Sequence, residues 1–320
     1  MHTIGNKILG IAQLVRLQNL LIIILTQLLL RYAILEPFLF AGTGAGISPV
    51  ADFLLLVLLT VLIAAGGYVI NDYFDVKIDT VNKPERMVID KVISARGAIM
   101  LHLVLNGIAT MIGFYLAWRV KSLSFGLIFP FLGILLWFYS ARYKRTLLWG
   151  NIIVAFLSSF VILIIWLFEF FHLRLDPEAF VAVIRDLKGT TYIFLAYGIF
   201  AFLVTLFREI LKDMEDWEGD EKYGCKTLPL VIGIRRSKIV VISLMFLNVA
   251  LLAYAMVVLR RLGLNMAFWY FLAAIQLPVL YLIVSVIRAK GKKDYHSASI
   301  LTKIIMLAGI LSMQVISLNF

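Results

Sequence analysis

"LLTVLIAAGGYVINDYFDVKID", residues 58–79, decides the fold. An apolar run ends at Ile70, and Asn71, Asp72, Asp75 and Asp79 then arrive within nine residues. With its upstream neighbours from residue 52, the run is long enough to cross a bilayer as a helix, which takes about 20 residues. Unpaired backbone amides are costly in lipid, so a crossing segment is a helix or part of a closed barrel. Continuous apolar runs without period-two alternation exclude the barrel. Carboxylates where such a helix leaves the lipid usually mark function.

The remainder of the chain repeats the pattern. Its 320 residues are 62% hydrophobic and 15% charged, with a mean hydropathy of +0.97, against about 45–50% apolar and about 25% charged in soluble domains. Apolar runs of crossing length fall at 17–35, 52–71, 97–118, 123–141, 150–168, 190–211, 238–259, 266–287 and 299–318. The expected fold is therefore all-α, a polytopic membrane protein of nine transmembrane helices in one domain, 1–320. Long connections are expected at about 72–96 and 212–237 on one face and about 169–189 on the other.

The net charge of +11 is topological rather than a sign of nucleic-acid binding. With the N-terminus placed in the cytoplasm, 22 of the 30 Lys and Arg residues fall on inside segments, as the positive-inside rule requires. The first apolar run is too long for a signal-peptide core and is read as retained. Cys225 is the single cysteine and the four histidines are scattered, so neither a disulfide nor a zinc site is expected.

A second acidic cluster, "KDMEDWEGD" at 212–220, repeats the first. Asp72, Asp75 and Asp79 share their spacing with Asp213, Asp216 and Asp220, and four expected spans lie between the two sets, so both open on the same membrane face. At 100° per residue, positions i, i+3 and i+7 share one narrow helical face. Three carboxylates there repel one another and invite a cation. Hard oxygen ligands suit Mg²⁺, which shares its coordination shell readily with water and substrate phosphates. Paired clusters therefore point to Mg²⁺ bridging a diphosphate.

The two motifs, N-D-x-x-D-x-x-x-D and D-x-x-D-x-x-x-D, together with "NKPER" at 82–86, "YSARYKR" at 139–145 and Arg16-x-x-Asn19, resemble the UbiA superfamily of intramembrane prenyltransferases across essentially the whole chain. One departure is that Met87 follows Arg86, with "MVIDKVIS" in place of the family's usual segment. The resemblance implies helices around a central cavity open to lipid, with the motifs facing each other beneath a cytoplasmic cap. It implies Asp75, Asp79, Asp213 and Asp216 as catalytic metal ligands, with Asp72 and Asp220 beside them. Asn71, Arg16, Asn19, Lys83, Arg86, Tyr139, Lys144, Arg145, Arg208, Lys212 and Lys226 become candidates for substrate contacts. Tyr68, Tyr73 and Tyr139 could turn their rings toward a carbocation.

Such chemistry fits a membrane. Cleavage of an allylic C–O bond leaves a carbocation and a diphosphate, so cations stabilise the leaving group and water must be kept out. The donor is expected to be an isoprenyl diphosphate drawn from the bilayer. The run "REILKDMEDWEGDEKYGCKTLP" at 208–229 resembles the branch whose acceptor is geranylgeranylglyceryl phosphate; an aromatic acceptor of the hydroxybenzoate, naphthoate or homogentisate type is the alternative. A cation-coupled transporter would place its acids near mid-span instead. The expected location is the cell's inner (plasma) membrane, with the active site on the cytoplasmic side.

Overall fold

A chain that crosses lipid must pair its amides within each segment, and helices do this. The computed structural model describes residues 4–40, 47–82 and 88–318, and its regular elements are all helical apart from an isolated bridge between Ile89 and Ile93. In chain order they are α1 (Ile4–Leu14), α2 (Leu17–Leu29, continued by a π-helix, Leu30–Phe40), α3 (Val50–Asn82), α4 (Ala95–Arg119), α5 (Leu123–Ala141), α6 (Trp149–Leu173), α7 (Pro177–Lys222) and α8 (Leu228–Ile232). There follow α9 (Ile234–Arg261), α10 (Asn265–Tyr270), α11 (Leu277–Arg288) and α12 (Lys292–Ser317); a π-helical stretch, Phe271–Gln276, joins α10 to α11. Among the described residues nine segments are long and apolar enough to cross a membrane, matching the nine expected spans. Large apolar side chains such as Met111, Trp118 and Tyr254 are more than two-thirds exposed, as lipid-facing positions should be.

Three boundaries differ from expectation. The connection expected at 72–96 is helical as far as Asn82, because α3 does not stop at the end of its apolar run. That at 212–237 is helical to Lys222 and again from Leu228. That at 169–189 shrinks to a short turn between Leu173 and Pro177, where Asp176 Oδ1 accepts hydrogen bonds from the amides of Glu178 and Ala179, both at 3.0 Å, with Pro177 at the first helical position. Hydropathy reports where a helix lies in lipid, not where it ends. With 33 and 46 residues, α3 and α7 run about 50 Å and about 70 Å, well past a hydrocarbon core about 30 Å thick. Each therefore carries its aspartates on an unbroken helix. After the first motif the chain turns within 88–93, and Ser94 caps α4 by accepting from the Gly97 amide at 3.1 Å.

The chain forms two compact units. One comprises Met1–Gln27, Ala45–Lys144 and Ile165–Val181; the other comprises Leu28–Gly44, Arg145–Ile164 and Ala182–Phe320. The first is built on α3, α4 and α5, and small residues let these helices approach. Gly113 faces the buried Phe129 ring, and Gly126 lies against Phe114 and Ala117. A polar cluster crosses the same helices: a His102 ring nitrogen lies 2.9 Å from the Gly66 carbonyl oxygen, and Asn106 donates to the His102 carbonyl at 2.9 Å. Arg119 pairs with the buried Asp52 at 2.8 Å, tying α4 back to the first turn of α3. In the second unit α9, α11 and α12 pack together, and Phe200 of α7 fits over Gly309 of α12.

A Cβ at Gly113 would overlap the Phe129 ring, which is 2% exposed and has nowhere to go. Gly113→Val is expected to destabilise the protein by about 1–3 kcal/mol, measured as a fall of several degrees in the melting temperature in detergent.

Candidate active site

The first motif sits at the end of the α3 crossing. Asn71 and Asp75 are buried, one helical turn apart, and the Asn71 amide donates to Asp75 Oδ2 at 3.1 Å. Past the end of α5 the chain tightens into a 3₁₀ turn, Tyr143–Arg145, which brings the Lys144 ammonium onto the same Oδ2. No hydrogen bond to Asp75 Oδ1 is found among the described residues.

Asp72 is met from the other side. Arg16 lies at the break between α1 and α2 with φ of 53°, a left-handed conformation that costs a side-chain-bearing residue about 1–2 kcal/mol. In that position its Nη2 donates to Asp72 Oδ1 at 3.0 Å and its guanidinium covers the Tyr68 ring, 4.9 Å from the centroid. Desolvation is the largest single influence and opposes the Arg16 charge, but the Asp72 carboxylate, with Tyr68 and Tyr139, raises the guanidinium pKa. Tyr139, half-buried on α5, lies within electrostatic reach of Arg16. Asn19 is exposed on α2. Lys83 and Arg86 lie outside the described residues, and of Asp79 only the helical backbone is described.

The second motif lies on α7 in the other unit. Asp213 Oδ2 accepts from Asn151 Nδ2 at 2.8 Å, and here too no hydrogen bond to Oδ1 is found among the described residues. Asp216 and Asp220 are half-buried one and two turns further along. Asp220 closes the helix through its carbonyl, which accepts from the amides of Tyr223 and Cys225 at 3.2 and 3.0 Å. After Gly224, whose φ of 67° allows the chain to reverse, the exposed Lys226 donates its amide to the Arg145 carbonyl at 2.9 Å. Arg208 and Lys212 both pair with Glu209, at 2.6 and 3.3 Å.

The donor set suits a hard cation. In both motifs a buried or half-buried aspartate has one oxygen held by a side-chain donor and the other without such a bond among the described residues, an arrangement that would suit an oriented metal ligand. Among the described residues no three acidic, histidine or cysteine side chains group into a complete cage. Mg²⁺ needs none, since it takes one or two carboxylates and completes its shell from water and phosphate oxygens.

Several of these partners were not singled out by the sequence. Asn151 interrupts an apolar run near the start of α6, and a lone amide in a crossing segment is the signal that could have flagged it. Glu209 stood unassigned inside a run of charges. His296, one of the scattered histidines, lies 2.8 Å from Glu215, between the first two aspartates of the second motif.

Comparison with known proteins bears on the whole chain. The model of the UbiA prenyltransferase family matches residues 32–306. Among curated relatives, the digeranylgeranylglyceryl phosphate synthase of Methanothermobacter thermautotrophicus is 36% identical over 198 residues, covering 61% of this chain and 62% of the relative, so that match spans about three-fifths of the relative's length. The synthases of Methanopyrus kandleri and Thermococcus gammatolerans are 32% and 31% identical, covering 84% and 81% of this chain and 86% and 83% of those proteins. Among solved structures, one from a study of digeranylgeranylglyceryl phosphate synthase in membranes superposes with a TM-score of 0.68 at 21% identity, covering 98% of this chain and 99% of that one. A UbiA homologue from Archaeoglobus fulgidus bound to DMAPP and Mg²⁺ gives 0.54 at 15% identity, covering 95% and 99%. Nine helical segments of crossing length among the described residues, two aspartate motifs on unbroken helices and a family match over most of its length make this chain an integral, multi-pass membrane protein that belongs to the UbiA prenyltransferase family.

Proposed function

We propose that the protein transfers a prenyl group from an isoprenyl diphosphate to the free hydroxyl of a prenylated glyceryl phosphate, forming an ether, and that the cytoplasmic ends of α3 and α7 do this work. The observation that carries the proposal is the pair of half-engaged aspartates, Asp75 held by Asn71 and Lys144 and Asp213 held by Asn151. Family membership supports the reaction class, and the names of the curated relatives support the acceptor.

The residues have separate tasks. Asp75, Asp79, Asp213 and Asp216, with Asp72 and Asp220 beside them, would hold Mg²⁺, and the donor's diphosphate would share its coordination. Bound there, the metal supplies positive charge as the C1–O bond breaks and its electron pair departs with the diphosphate. Lys144 already pairs with Asp75 and can extend donors to the diphosphate; Lys83, Arg86, Arg145 and Lys226 would supply further positive charge to it. Arg16 holds Asp72 in place. Tyr68, Tyr73 and Tyr139 lie close to the motif, where a ring face within about 6 Å of a cation is worth roughly 0.5–2 kcal/mol. The hydroxyl oxygen of the acceptor then bonds to C1 and releases its proton. Charge asymmetry between the two sides supports an active site facing the cytoplasm of the cell membrane.

The test is prenyl transfer by purified protein in liposomes, using geranylgeranyl diphosphate and shorter donors against geranylgeranylglyceryl phosphate and 4-hydroxybenzoate. Turnover is expected with the glyceryl phosphate, with EDTA abolishing it and Mg²⁺ restoring it. Asp75→Ala and Asp213→Ala are each expected to lower the rate at least about a hundredfold, the scale of removing an electrostatic stabiliser; near-normal rates in either would refute the metal assignment. Turnover with 4-hydroxybenzoate alone would move the acceptor to the aromatic class. Asn151→Ala, which releases Asp213 without removing it, is expected to weaken Mg²⁺ binding about 10–100-fold in a calorimetric titration.

A further inference from the structure

α7 carries two different faces past the level of its lipid crossing. Glu209, Asp213, Asp216 and Asp220 fall within about 60° of one another, and Arg208, Lys212 and Glu215 occupy a second sector centred about 100° away. The cationic sector is turned toward α12, because three contacts fix those helices as an antiparallel pair. His296 lies 2.8 Å from Glu215, the Phe200 ring covers Gly309, and Tyr197 and Ser312 share a hydrogen bond of 2.8 Å. Moving from the first contact toward the third, Lys303 is seven residues beyond His296 and Arg208 is seven residues before Glu215. The register therefore sets Lys303 level with Arg208.

Lys303 is unusual. It stands about 16 Å along α12 from that helix's first residue, inside a crossing segment, and is exposed. It makes no ion pair among the described residues, yet it lies within electrostatic reach of Arg208, Lys212, Glu209 and Glu215. Lys303 thus joins Arg208 and Lys212 where the two helices face each other. Glu209 answers Arg208 and Lys212, and Glu215 is engaged by His296. Arg208 Nε is buried with no hydrogen-bond partner. Lysine and arginine at membrane depth mark ligand sites when their charge is left over, and three cations set against Glu209 and Glu215 leave positive charge for an anion.

We propose that Arg208, Lys212 and Lys303 form a phosphate-monoester subsite that holds the acceptor's phosphate group, separate from the aspartate face that serves the donor's diphosphate. The assignment rests on the glyceryl phosphate reading of the acceptor. In such an acceptor the attacking hydroxyl lies only a few bonds from the phosphate. Anchoring the phosphate on one sector of α7 therefore delivers the hydroxyl to the neighbouring sector, where the donor's reactive carbon is held. The guanidinium supplies a planar fork for two phosphate oxygens, and the two ammonium groups supply point charges for the third. Arg208 and Lys212, among the candidate substrate contacts of the sequence, are thereby assigned to the acceptor.

The experiment compares wild-type protein with Lys303→Gln and Lys303→Arg, varying donor and acceptor concentrations separately, in phosphatidylcholine liposomes and in lipid-free neutral detergent. Lys303→Gln is expected to raise KM for geranylgeranylglyceryl phosphate at least about tenfold while KM for geranylgeranyl diphosphate stays within about twofold. Its preference for that acceptor over dephosphorylated geranylgeranylglycerol should collapse, and Lys303→Arg should retain most of the wild-type behaviour. An unchanged acceptor KM, or equal losses for donor and acceptor, overturns the subsite. So does a KM effect confined to liposomes, which would assign Lys303 to bilayer phosphates. If wild-type protein does not use the phosphorylated acceptor at all, the acceptor reading itself fails, a result distinct from normal wild-type turnover with an indifferent Lys303→Gln.

Discussion

A carboxylate at the end of a lipid-crossing helix has to be answered by a cation or a hydrogen-bond donor, and the arrangement of this protein follows from how its aspartates are answered. Asp75 is met by Asn71 and Lys144, Asp72 by Arg16, and Asp213 by Asn151. Each partner comes from a different part of the chain: the same helical turn, the turn after α5, the break before α2 and the start of α6. In Asp75 and Asp213 one oxygen is satisfied in this way, and the other has no hydrogen bond among the described residues. The protein therefore orients its carboxylates without satisfying both oxygens of each, which is the capacity that the proposed Mg²⁺ and diphosphate would use.

Helix length makes this possible. Were α3 and α7 to stop where their apolar runs stop, the aspartates would lie on loops and their spacing would define no common face. Because both helices continue through the motifs, the spacing i, i+3, i+7 becomes a rigid stripe of acid. The same rigidity gives α7 its second sector, so one helix presents carboxylates in one direction and Arg208 and Lys212 in another. Close packing against α12, permitted by Gly309 under Phe200, then adds a cation that the local sequence of α7 does not contain.

Much of this was legible in the sequence. The nine crossing segments follow from hydropathy alone, since no other structure buries so much apolar length without stranding amides. That the two motifs share one pattern follows from their identical spacing. Helix ends were harder to read: Asp176 and Pro177 begin α7 well before its apolar stretch, and the charged turns after Ile70 and Leu211 remain helical although nothing about their hydropathy says so. The partners of the aspartates were mixed. Arg16 and Lys144 stood in recognisable segments, whereas Asn151 gave only the weak signal of one amide in an apolar run. His296 and Lys303 gave none, because a histidine near a helix start and a lysine between apolar residues are each unremarkable until the opposing helix is known.

The order of residues by itself determined that this chain is helical, that it crosses a membrane repeatedly and that two acidic stripes exist, since all three are properties of short-range period and composition. Only the tertiary structure decided which oxygen of each aspartate is engaged, that Arg16 reaches Asp72 from a strained turn, and that Lys303 stands level with Arg208. The physical reason is that such pairings depend on helix–helix register. Register is set by a few close contacts, such as Glu215 with His296 and Tyr197 with Ser312, between residues far apart in the chain. Neither partner of such a contact carries a mark of the other in its own neighbourhood.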